Sequence, residues 1–297
     1  MALYRHFRLS GFHHPRFLEC ALGLAAAVLL RSYLAARRRR APHAARHAVA
    51  DALAVLRDFA PFFAVLLLYE ALHDLTPLLR PDVVDSRLLA IDRALLGVDV
   101  ALWLGRFATP LFTRAMVACY ASYFVALPLL ACALYFVGER RLFRDLMVSA
   151  VLTTVLGYLG YLAVPAVGPY VFEAALFPTR LPGGGTETHF FIAAIDDLRG
   201  VARDCFPSLH TAHTTVVLVF ARRFRGWLFA AYLPIAVGLY LSTMYLRMHY
   251  AVDVAAGFAC AAVACWVGPR LDRWSLPGRH PDAAGGAPVD AVAVDGD

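Results

Sequence analysis

Two short segments of this chain bring together side chains that can do chemistry. The first is Cys205–His213, reading C-F-P-S-L-H-T-A-H. Ser208 is placed to cap a helix that begins at Leu209, with Pro207 just before it. A helix start leaves backbone N–H groups free, and its dipole favours an anion there. His210 falls in that first turn, so the segment offers a phosphate cradle with an imidazole beside it. The second segment is Leu246–Asp253, reading L-R-M-H-Y-A-V-D. His249 and Asp253 are four apart and share one helix face, so the carboxylate can accept from one imidazole nitrogen. That arrangement sets the tautomer and leaves the other nitrogen as base or nucleophile. Asp253 also borders the apolar run Val254–Gly268, where an ionisable side chain is costly and points to function.

The elements that must position these groups are membrane helices. Of the 297 residues, 60% are hydrophobic and 17% charged. Mean hydropathy is +0.61. Soluble domains run at roughly half apolar and a quarter charged, so a soluble, sheet-based or disordered fold is excluded. Stretches 115–137, 146–172 and 226–246 contain no Asp, Glu, Lys or Arg. A bilayer crossing needs about 20 such residues. Six spans are predicted: Ala52–Leu72, Ala115–Val137, Leu146–Tyr170, Ser208–Ala221, Gly226–Leu246 and Tyr250–Gly268. The expected fold is therefore an all-α integral membrane protein with a six-helix core. A possible extra N-terminal helix, Phe17–Ala35, carries Glu19 and Arg31. Residues 1–50 read as a basic N-terminal segment, 51–268 as the membrane core, and 269–297 as a disordered cytoplasmic tail. Between the spans, Ser86–Leu96 has helical amphipathic spacing, and Gly183–Gly185 with Pro182 predicts a sharp turn.

The chain carries no Lys, so all 28 basic residues are Arg. Arg37–Arg40, then Arg140, Arg141 and Arg144, then Arg222, Arg223 and Arg225, then Arg270 and Arg273 mark alternate short loops as cytoplasmic. Nucleic-acid binding is a poor explanation for Arg in short runs between apolar segments. On this topology His210 and His249 face the same, non-cytoplasmic side. The six Cys show no zinc or disulfide spacing.

P-S-L-H at Pro207–His210 resembles the second motif of the type 2 phosphatidic acid phosphatase superfamily, usually P-S-G-H. H-Y-A-V-D at His249–Asp253 resembles the third, S-R-x-x-x-x-x-H-x-x-x-D. Leu209 in place of Gly, and the string Ser242–Gly257, are most similar to the inositol phosphorylceramide synthase branch. Ile91–Gly97 and Val164–Tyr170 fit that branch loosely. The resemblance implies that His249 attacks phosphorus and forms a phosphohistidine, that Asp253 orients it, and that His210 protonates the leaving oxygen. It implies membrane lipids as substrates, and neither metal nor other cofactor. The implied function is transfer of a phosphorylated headgroup between lipids, in a bacterial plasma membrane with the site on the non-cytoplasmic side. Hydrolysis of a lipid phosphate or diphosphate is the alternative within that chemistry, and a non-catalytic lipid-binding protein the alternative outside it.

Two departures matter. The family's first motif, K-x-x-x-x-x-x-R-P, is absent, and Thr243 stands where the third motif has Arg. Developing charge on phosphorus needs cations. Arg247, then Arg203 and Arg199, are the candidates, with Ser208 as a further substrate contact.

Overall fold

The computed structural model describes residues 44–177, 181–182 and 203–275. The predicted extra helix Phe17–Ala35, Arg37–Arg40, Arg199, the turn at Gly183–Gly185 and the tail beyond Ser275 lie outside the described residues. Every regular element among the described residues is helical. In chain order these are α1 (Ala44–Leu79), α2 (Asp85–Leu96), α3 (Val100–Gly105), α4 (Pro110–Val137), α5 (Arg140–Ala163), α6 (Pro169–Phe172), α7 (Leu209–Phe224), α8 (Gly226–Tyr245) and α9 (Ala251–Ser275). Four are long and apolar enough to cross a bilayer: α4, α5, α8 and most of α9. The chain is an integral membrane protein, and the outer surface of the bundle agrees. Leu111, Leu129 and Leu159 are exposed there, a face that suits lipid and not water.

The helix ends follow local chemistry. Thr109 caps α4 by accepting from the Phe112 N–H, with Pro110 at the first helical position. Gly138 closes α4 at φ +94°, a conformation that favours glycine. The predicted span Leu146–Tyr170 is corrected: α5 stops at Ala163. Pro165 follows, Gly168 takes φ +84°, and Pro169 opens the separate turn α6, so apolar character runs on where helix cannot. The other boundary corrections lengthen helices. Among the described residues the first helix already covers Ala44, ahead of the predicted span start at Ala52, and α9 extends at least to Ser275, past the predicted span end at Gly268. Charged and polar residues continue a helical turn beyond the apolar run.

The short helix α7 is the hub. Its 16 residues span about 24 Å at 1.5 Å per residue, less than the bilayer core. It packs against α4, α5, α8 and α9. Its sides are accordingly covered: Ala212, Val216 and Phe220 are fully buried, in one apolar core with Leu134, Leu146 and Ala150. Small residues let the neighbours come close to its start. A Cβ on Gly157 or Gly160 of α5 would collide with Leu209 or Pro207. A Cβ on Gly257 of α9 would meet the Ser208 carbonyl at 2.5 Å.

Candidate active site

That close approach brings the two sequence segments into contact. The Ser208 N–H donates to the Asp253 carbonyl (3.1 Å), tying the start of α7 to the start of α9. His210 Nδ1 lies 3.2 Å from His249 Nε2. His249 Nδ1 faces Asp253 Oδ2 at 3.5 Å. Asp253 Oδ2 also accepts from the Tyr250 N–H (2.8 Å) and from the Cys205 thiol (2.9 Å). Tyr120 of α4 bonds His210 Nε2 at 2.7 Å.

With both imidazoles neutral, one assignment of protons satisfies the whole chain. A carboxylate can only accept, so His249 carries its proton on Nδ1. Its Nε2 lone pair then accepts from His210 Nδ1–H, and His210 Nε2 accepts from the Tyr120 hydroxyl. The free lone pair of the acid-oriented imidazole is therefore Nε2, and it points at the second imidazole. His249 is 4% exposed and Asp253 fully buried, so the pair is shielded from competing water. Burial first, and the Asp253 carboxylate second, hold the Cys205 thiol well above its ordinary pKa. Cys205 is thus an S–H donor here and not a nucleophile.

Two acids of α2 hold the frame. Asp92 accepts from the Ala251 and Val252 N–H groups at 2.6 and 2.9 Å, occupying the N-terminus of α9. Asp85, seven residues earlier on the same face, accepts from Val167 N–H, Gly168 N–H and the Tyr250 hydroxyl. Burial raises both carboxyl pKa values, and the N–H donors pull them back down. Gly168 fits only as glycine: besides its positive φ, a Cβ would meet the Met248 carbonyl at 2.6 Å. The N-terminus of α9 is therefore taken by Asp92, while that of α7, beside His210, has among the described residues only the Ser208 cap, which accepts from Thr211 N–H.

The remaining predicted residues fall differently. Ser208 is fully buried, and its hydroxyl is engaged in that cap. Arg247 adopts φ +64°, rare for a non-glycine residue, at the turn between α8 and α9. Its carbonyl accepts from the Tyr170 N–H, and its guanidinium lies 4.0 Å above the Phe177 ring. Thr243 hydrogen-bonds its own helix through Oγ1, and its carbonyl receives the Met248 and His249 N–H groups. Arg203 keeps Nε and Nη1 buried with no hydrogen-bond partner among the described residues. His213 is buried one turn along α7 between Tyr123 and Thr154. Sequence reasoning missed Tyr120, Tyr123, Asp85 and Asp92. Only the I-D-R-A-L-L-G string hinted at the last of these. Tyr123 packs against His210 with the rings tilted, at 4.3 Å between centroids.

The paired histidines, the acid and the helix N-terminus beside them are what the two motifs required of the fold. The family model described as PAP2 superfamily matches residues 86–267, more than half of the 297 residues. The chain belongs to the PAP2 superfamily. The membership places it among phosphatase-like phosphotransfer enzymes. This PAP2 chain is also 31% identical over 140 residues to phosphoinositol dihydroceramide synthase of Bacteroides thetaiotaomicron, in agreement with the inositol phosphorylceramide synthase-like branch that its motifs resemble. That match covers 43% of this chain and 46% of the relative's length. No solved structure gives a significant match.

Proposed function

We propose that this PAP2 protein is a membrane lipid phosphotransferase that moves a phosphorylated headgroup, such as inositol phosphate, from one lipid to another through a phosphohistidine. The observation that carries this reading is the contact of His249 Nε2 with His210 Nδ1, with Asp253 behind His249 Nδ1. A phosphodiester entering between the rings meets a nucleophile on one side and an acid on the other. His249 Nε2 attacks phosphorus, and the bond to the donor's lipid oxygen breaks. His210, protonated in the loaded site, gives its Nδ1 proton to that oxygen. Asp253 stabilises the resulting phosphoimidazolium. The acceptor's hydroxyl then returns its proton to His210 Nδ1 and attacks phosphorus, and the P–N bond breaks. The α7 N-terminus and a nearby guanidinium hold the phosphoryl oxygens. Arg203 suits that role, because buried guanidinium nitrogens without a partner are costly until an anion arrives. Arg247 and Arg199 complete the candidate cations.

The proposed topology has six crossing helices: α1, α4, α5, α7, α8 and α9. Arg141, Arg223 and Arg270 line one cavity of about 520 Å³. Arg223 belongs to the end of α7 opposite His210. The positive-inside rule then puts the site on the non-cytoplasmic side of a bacterial plasma membrane.

The test is transfer from labelled phosphatidylinositol to a ceramide-type acceptor in mixed micelles. The wild type is expected to form a new phosphodiester lipid, and His249→Ala to lose at least a thousandfold in rate. Rapid acid-free quench should trap the phosphorylated headgroup, inositol phosphate, on His249. Undiminished transfer by His249→Ala rejects the mechanism, and headgroup phosphate released into water as the sole product rejects the transferase in favour of hydrolysis.

A further inference from the structure

The fold brings to the His249–Asp253 pair a third donor, Cys205, that no sequence spacing linked to it. Cys205 Sγ, His249 Nδ1 and Asp253 Oδ2 all lie within 4.8 Å of one another, and all three residues are buried. The separations are 2.9 Å for sulfur to oxygen, 3.7 Å for sulfur to nitrogen and 3.5 Å for nitrogen to oxygen. Donors about 2.0–2.3 Å from a common ion span such distances. One thiol, one imidazole and one carboxylate form a borderline-soft donor set of the kind that selects Zn²⁺ or Cd²⁺ over Mg²⁺ or Ca²⁺. A second observation points the same way. Asp253 Oδ1 is buried without a hydrogen-bond partner among the described residues, so the carboxylate has acceptor capacity left to offer.

We infer that Cys205, His249 and Asp253 form an inhibitory site for a thiophilic divalent cation such as Zn²⁺. The inhibition rests on the proposed role of His249; the binding does not. Coordination by the thiolate releases the Cys205 proton to water. Coordination at Nδ1 uses the nitrogen that carries the proton in the active tautomer, so the neutral ring holds its proton on Nε2 instead. Nε2 then has no lone pair to offer phosphorus, and Asp253 is drawn onto the metal. Thiolate and carboxylate together neutralise the ion, which lets it sit in a buried pocket. Cys205 thus makes the site sensitive to metal without taking part in transfer.

The experiment uses the full-length protein in detergent with the metal ion alone as probe. Cd²⁺ titration of the wild type is expected to produce an ultraviolet thiolate-to-metal charge-transfer band, and Cys205→Ser to lose one equivalent of it. A chain in which Cys205 is the only cysteine, the other five having been replaced, is expected to keep that equivalent. In transfer assays Zn²⁺ should inhibit the wild type, and the half-inhibiting concentration should rise at least tenfold in Cys205→Ser, each protein being compared with its own metal-free rate. An unchanged band and unchanged Zn²⁺ sensitivity in Cys205→Ser overturn the site, as does the absence of any band from the chain with Cys205 alone. A band without any transfer activity leaves the metal site standing and rejects the proposed function; activity without a band does the reverse.

Discussion

Tyr120 ends the hydrogen-bonded chain that runs through His210 and His249 to Asp253. In the proposed mechanism its hydroxyl steadies His210 Nε2 when the proton on Nδ1 is given away and recovered. Tyr120→Phe keeps the ring against His210 and removes this one bond. A net loss of about 1 kcal/mol, or roughly fivefold to tenfold in kcat with little change in KM, is expected from steady-state transfer assays. Asp253→Asn probes the other end. The amide can still accept from the Tyr250 N–H but cannot balance a positive imidazole. The fall in kcat should exceed a hundredfold while the protein stays folded, as judged by thermal melting.

At the level of elements, α2 acts as a clamp. It packs against α9 and reaches the site through two buried carboxylates, with no side chain of the proposed reacting set on it. Asp92 holds the first amides of α9, so Asp92→Ala leaves two N–H groups without their acceptor and frees the helix start that carries Asp253. About 1–3 kcal/mol of stability should be lost. A positioning role adds a readout that simple loosening would not give: kcat should fall while KM holds, and Asp92→Asn, which keeps one acceptor oxygen, should recover part of the rate. Equal loss of stability with kcat intact would reduce Asp92 to a structural cap. The same logic explains the irregular Val164–Gly168 stretch. Its amides go to Asp85, its Ala166 carbonyl accepts from Cys205 N–H, and the next turn binds the Arg247 carbonyl, so one loop braces both motif segments.

For the whole molecule, polarity along the bundle decides function and pH response together. Arg141, Arg223 and Arg270 line one cavity together, while Asp99 and Glu173 gather round Arg93. Burial first, and hydrogen bonding and repulsion from Asp99 next, push Glu173 up from its ordinary 4.5 to about 7, against the pull of Arg93. The folded state then holds a proton that the unfolded state has released between those values. Stability should be full below ~4.5 and fall as pH rises through ~7. Thermal melting across that window should show the decline, and Glu173→Gln should flatten it; an identical pH profile in the variant would refute the assignment. Much of this architecture was legible in the chain. Six apolar runs marked helices to within several residues, because a bilayer demands about 20 uncharged positions and water is absent to satisfy anything but a helix. The segments of His210, His249 and Asp253 stood out because a helix cap and a four-residue spacing are local signals, although α9 starts only at Ala251, so His249 meets Asp253 from the turn before that helix and not from a shared helix face. Tyr120 meets His210 across 90 positions, Cys205 meets Asp253 across 48, and Asp92 reaches Val252 across 160. No periodicity records such pairs. They exist because Gly157 and Gly160 of α5 and Gly257 of α9 let two helices close around the start of α7, and only that packing decides which polar atoms meet.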